Sequence, residues 1–131
     1  MVVLDTHALV WWASGDAQLS GAAREAIERE RQGGEVLVSA ISAWEVAMLV
    51  RARRLALTMD AAAWLDTVAQ VPGLRFVPVD VRISVQSVDL PGDFHKDPAD
   101  RLIVATARHF GAPLVTADLK IRGYAHVQTV W

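Results

Sequence analysis

Five runs of strand length punctuate this chain, at residues 2–4, 36–38, 76–79, 114–116 and 127–130. The first two, Val2-Val3-Leu4 and Val36-Leu37-Val38, contain no polar residue. A strand with one face in water alternates apolar and polar side chains, whereas one covered on both faces reads as a continuous apolar run. Helical patterns fill the stretches between these runs, and that alternation builds a mostly parallel sheet with helices on both faces. The expectation is an α/β fold around a central, mostly parallel sheet. At 131 residues the chain suits one domain, spanning 1–131, large enough to bury a core.

Punctuation residues set the expected helix boundaries. A helix over residues 6–13 follows the first strand. Ser20 caps a second, which Gly33-Gly34 stops. Ser42 opens an apolar helix from 43 to about 53, and Thr58 precedes another that Pro72-Gly73 closes. A short helix covers 81–88. The segment Pro91-Gly92-Asp93-Phe94-His95-Lys96 reads as a loop, after which Asp97 caps a long helix with Pro98 at its first position and Gly111 at its end.

Composition removes several classes. Hydrophobic residues make up 53% of the chain, which excludes disorder. No apolar run approaches the roughly 18 residues of a membrane span, and the start lacks the basic and long apolar regions of a secretion signal. There is no cysteine, hence no disulfide framework and no thiolate metal site. These features point to a cytoplasmic protein without a membrane partner. The net charge of −2 does not advertise nucleic-acid binding, although all the basic residues except Lys96 and Lys120 are arginines, suited to phosphate.

Open α/β sheets bind ligands beyond the carboxyl ends of their strands. Acids at those positions are Asp5, directly after the first strand; Glu45, in the first turn after the second; Asp100, in the first turn after the long loop; and Asp118, two residues beyond the fourth strand. Each has a local explanation. Asp5 and Asp118 can cap the helices that follow, Ser42 and Glu45 match a capping box, and Asp100 suits a helix dipole. Together, four acids converge on one sheet edge. Two carboxylates about 4 Å apart repel by roughly 4 kcal/mol at an effective dielectric of 20, so such a cluster needs a strong positive charge. No lysine or histidine recurs at the matching strand ends. Oxygen ligands without Cys or His select Mg²⁺ or Mn²⁺, and a site of that kind serves in-line attack of water on a phosphodiester.

Four blocks, Leu4-Asp5-Thr6-His7 leading to Trp11-Trp12, Ile41-Ser42-Ala43-Trp44-Glu45-Val46, His95-Lys96-Asp97-Pro98-Ala99-Asp100-Arg101-Leu102-Ile103 and Thr116-Ala117-Asp118, follow one another in this order and spacing. In this the sequence resembles the PIN-domain nucleases, and within them the VapC-type toxins of toxin–antitoxin pairs, over nearly its whole length. The resemblance implies a three-layer α/β/α domain that cleaves RNA with Mg²⁺ or Mn²⁺. Asp5, Glu45, Asp100 and Asp118 match the family's four acids, as catalytic and metal-holding residues. Thr6 and Thr116 match positions that support the metal from behind its ligands. Asp97 is a helix cap that could also reach a metal through water. The resemblance further implies a homodimer carrying a separate antitoxin chain.

Lys96, Arg101, Lys120 and Arg122 flank the acidic blocks and are the candidates for steering RNA. His95 is expected to lie exposed in its loop. Trp11, Trp12, Trp44 and Trp64 suggest an apolar patch for a partner. Two rival readings are a phosphoacceptor receiver domain, which would need paired acids after the first strand where this chain has Asp5-Thr6, and a non-catalytic PIN-like binding module.

Overall fold

The computed structural model describes residues 1–131. Its elements in chain order are β1 (Val2–Leu4), α1 (Thr6–Ser14), α2 (Gly21–Gly33), β2 (Val36–Ser39), α3 (Ala40–Arg51), α4 (Ala61–Ala69), β3 (Leu74–Val77), α5 (Val81–Val88), α6 (Pro98–Phe110), β4 (Leu114–Val115), α7 (Leu119–Arg122) and β5 (Thr129–Val130). The strands form one sheet of order β3-β2-β1-β4-β5, with every pair parallel.

The apolar strand runs bury both faces, as expected. Val2, Leu4, Val36, Val38 and Val115 point to one side, against residues of α1–α4 such as Leu9, Ile27, Val46 and Trp64. Val3, Leu37 and Leu114 point to the other, against Ile83 of α5, Ile103 and Val104 of α6 and Ile121 of α7. The handedness rule explains this division. Parallel crossovers are almost always right-handed, so chain moving β1→β2→β3 leaves its helices on one face. Chain returning β3→β4→β5 in the opposite direction leaves them on the other. The reversal makes the carboxyl edge between β1 and β4 the switch point, where a crevice opens.

The boundaries that bear on the fold and the site differ from the sequence expectations as follows. The third strand runs Leu74–Val77 rather than 76–79. It aligns Leu74 with Val36, and it stops before Pro78, which has no N–H for the ladder. Entry to β3 needs Gly73, at φ +85, because a Cβ there would lie 2.2 Å from the Arg31 carbonyl oxygen. The last strand is confined to Thr129–Val130 by its two-residue partner β4. The α4 cap is Asp60 rather than Thr58. Helix α3 begins three residues early, capped by Ser39, whose side chain accepts from the Ile41 N–H. This last shift carries Ser42 and Glu45 inward, with consequences for the site.

Candidate metal centre

A cleft of about 410 Å³ opens at the switch point, bordered by Asp5, Glu45, Asp97, Asp100 and Asp118 together with Thr6, His7 and Trp11. All four sequence-selected acids reach it, and Asp97 joins them. The local explanations hold at the same time. Asp5 caps α1, Asp97 caps α6 and Asp118 caps α7. Three helix N-termini therefore open on the cleft, and their partial positive charge is met by the carboxylates that cap them.

Each acid is held differently. Asp5 is buried at the end of β1. Its Oδ1 accepts from the Ala8 N–H at 2.8 Å, and its Oδ2 accepts from the Thr116 hydroxyl. Thr116 is fully buried and in turn accepts from the Asp118 N–H at 3.0 Å, so one hydroxyl links the ends of β1 and β4. Asp118, exposed, receives the Lys120 N–H at 2.8 Å on Oδ1. Asp97 is likewise engaged by the Ala99 N–H at 2.9 Å.

Glu45 does not form the expected capping box. With the helix starting at Ala40, it lies in the second turn, and its Oε1 accepts from Thr6 Oγ1 at 2.5 Å. Ser42 is fully buried, with Oγ 2.9 Å from Thr6 Oγ1. A hydroxyl has one proton, and the carboxylate is the stronger acceptor. Thr6 therefore donates to Glu45 and accepts from Ser42, a role for Ser42 that a local capping motif hides.

Two further expectations are corrected. His95 is not a free loop side chain: its Nε2 lies 2.6 Å from Asp100 Oδ2, and both groups are mostly covered. Arg101 is not a free cation for RNA. Its Nε donates to the Ser87 carbonyl, Nη1 to those of Phe94 and His95, and Nη2 to that of Val88, at 2.8–3.2 Å. Arg101 ties the end of α5 to the loop that presents His95. Lys96, Lys120 and Arg122 remain exposed. His7 and Trp11, which stand in the first of the four sequence blocks, also border the cleft.

The electrostatics favours a cation. Burial pushes the Asp5 carboxyl above its usual range, against the Thr116 and Ala8 hydrogen bonds, which favour the charged form. Burial also raises Glu45, opposed by the Thr6 bond and reinforced by the charges of Asp100 and Asp97. Asp100 is raised by burial, opposed by His95 and reinforced by Asp97 and Asp118. No lysine or arginine pairs with any of these acids. As placed, no three of them converge on a single metal position. The donors are nonetheless carboxylate oxygens backed by hydroxyls, a set that suits a hard divalent ion.

A parallel sheet of this order with an acidic crevice at its switch point defines the class. The PIN domain family model matches residues 2–127, and the chain belongs to the PIN-domain family. The chain is 39% identical to ribonuclease VapC22 of Mycobacterium tuberculosis over 132 residues, covering 99% of this chain and 98% of that protein. The fold is also that of VapBC2 from Rickettsia felis, solved bound to a promoter DNA fragment, with a TM-score of 0.70 at 17% identity over 98% of this chain and 97% of the other. VapC20 of M. tuberculosis, described as a sarcin–ricin loop cleaving toxin, superposes with a TM-score of 0.64 at 18% identity over 98% and 99%. The observed strand order departs from the 2-1-3-4-5 arrangement of receiver domains.

Proposed function

We propose that this chain is a metal-dependent endoribonuclease, the toxin of a toxin–antitoxin pair. The observation that carries the reading is the set of five acids on one cleft with no lysine or arginine paired to them, in a chain 39% identical to a ribonuclease along its length. Asp5, Glu45, Asp100 and Asp118 would hold the ion, Mg²⁺ or Mn²⁺. Thr6 and Thr116 fix the carboxylates of Glu45 and Asp5, Ser42 supports Thr6, and Asp97 holds the start of α6. When bound, the ion supplies a positive charge that lowers the pKa of water and offsets charge building on the phosphodiester. Exposed Lys96, Lys120 and Arg122 draw RNA toward it.

Residues 1–131 act as one catalytic unit in this reading, in the cytoplasm; no helix is long and apolar enough to cross a membrane. Trp64 is buried in the core, but Trp44 and Met48 are exposed on α3, which supports a homodimer or an antitoxin contact there. The test is incubation of the purified protein with cellular RNA in EDTA, Mg²⁺ and Mn²⁺. Cleavage absent in EDTA and restored by either ion is expected. Full activity in EDTA would refute metal dependence, and no cleavage under any condition would refute the ribonuclease. Co-expression with the neighbouring small open reading frame should yield an inactive complex.

A further inference from the structure

A second cavity of about 470 Å³ lies beside the acidic cleft, and His95 borders it while its Nε2 contacts Asp100 in the first. His95 thus joins the second cavity to an acid of the first. The second cavity has a different chemistry. The Phe94 and Tyr124 rings lie with centroids 4.8 Å apart, and Tyr124 and His126 meet edge to face at 5.3 Å. Lys120, exposed at the rim, belongs to the four-residue helix that Asp118 caps. The catalytic acid and this cation are therefore carried on one turn of backbone.

The aromatic wall is braced. The Tyr124 hydroxyl donates to the Pro91 carbonyl, and the Arg108 guanidinium donates to the His126 carbonyl. Gly92 sits at φ +65, where a Cβ would come within 3.3 Å of His126 Nε2. Bare backbone lets the loop close on the ring.

We infer that this cavity is a nucleotide subsite: it takes one unpaired base of the RNA next to the cleaved bond, stacked on the Phe94 and His126 rings, with the adjoining phosphate on Lys120. Unpaired bases splayed from single-stranded RNA are recognised by stacking on aromatic side chains, and a basic residue follows the backbone. Asp93 also borders the cavity, so the phosphate lies on the Lys120 side. The subsite rests on the ribonuclease reading. It fixes the direction in which the strand leaves the acidic cleft, across His95 and along α7.

The experiment measures binding of a labelled, random-sequence, single-stranded RNA in Mg²⁺ to the wild type and to His126→Ala, His126→Phe and Lys120→Ala. Both residues are exposed, and melting curves confirm that the variants fold. His126→Ala should bind about fivefold or more weakly, the scale of one lost stack. His126→Phe, which keeps a ring, should restore most of the affinity. Lys120→Ala should flatten the logarithmic salt dependence by roughly 0.7, one phosphate contact on a single strand. Cellular RNA cleavage by the wild type in the same buffer separates the two readings. Active wild type with all three variants binding unchanged overturns the subsite alone. Inactive wild type that does not bind RNA overturns the ribonuclease and the subsite with it.

Discussion

Thr116→Val removes one hydroxyl and almost no volume, so its effect isolates the link between Asp5 and Asp118. Thr116 is fully buried, donates to Asp5 and accepts from the Asp118 N–H. The lost bond to a charged acceptor is worth about 1.5–3 kcal/mol. The orphaned Asp118 amide adds little, because Asp118 is exposed and water can replace its partner. The expected cost at neutral pH without metal is about 2–3 kcal/mol. At roughly 4 °C per kcal/mol for a chain of this size, the melting temperature falls by about 8–12 °C.

The pH dependence distinguishes this mechanism from ordinary loss of packing. Burial holds the Asp5 carboxyl above the usual carboxylate range, and the Thr116 bond opposes that rise. A group with a raised folded pKa contributes stability that is full below its unfolded pKa and is lost as pH rises through the folded one. Valine raises the folded pKa further, so the loss continues to higher pH in the variant. The gap between wild type and Thr116→Val should therefore widen from acid to neutral pH. Below the unfolded pKa only a neutral hydrogen bond is missing, about 1 kcal/mol. Thermal melts in EDTA at acid and neutral pH measure both limits. A gap equal at the two pH values, or a neutral-pH shift below about 3 °C, would refute the argument. Cleavage in Mg²⁺ should also fall, because Asp5 loses the bond that orients it.

The other predictions concern the acids and their holders. Glu45→Gln and Asp100→Asn remove groups whose charging is disfavoured by burial and by neighbouring acids; the metal-free melting temperature should hold or rise, the Mg²⁺-induced shift should shrink, and cleavage should fall by orders of magnitude. Lower stability in EDTA with an unchanged metal shift and normal cleavage would remove them from the site. His95→Ala frees Asp100 and should raise the Mg²⁺ needed for half-maximal cleavage about tenfold, the scale of losing a ligand-orienting partner, with activity recovered in excess metal; a hundredfold loss that excess metal does not repair would make His95 a proton-transfer group instead. Arg101→Lys cannot reproduce four guanidinium contacts and should lower stability by about 1–2 kcal/mol, less than buried charged bonds cost because the group is partly solvated; unchanged denaturant midpoints would contradict a structural role.

The sequence by itself determined the layers, because fully apolar runs such as Val2-Val3-Leu4 can be satisfied only between two covers, whatever their neighbours. It also determined α6, whose ends are set by chemistry within a few residues: the Asp97 cap, Pro98 at the first position and Gly111 in the left-handed region. The approach of Asp5, Glu45 and Asp118 to one edge followed from their positions after successive strands, since every parallel strand delivers its carboxyl end to the same side, whereas Asp100, beyond α5 and a loop, reaches it through the packing of α6. What each acid touches was decided only by tertiary structure. Ser39 and Ser42 are equally good caps locally, and the pairing of β2 with β3, which aligns Ser39 with Val77, extends the strand to Ser39 and starts the helix there. That choice turned Glu45 from a capping group into a partner of Thr6, 39 residues away. The contact of His95 with Asp100 depends in the same way on a loop tied down by Arg101 through carbonyls of α5 and its own backbone. Caps and strand runs are legible because their interactions lie within a few residues along the chain, while these hydrogen bonds join segments whose distance is set only once both faces of the sheet have packed.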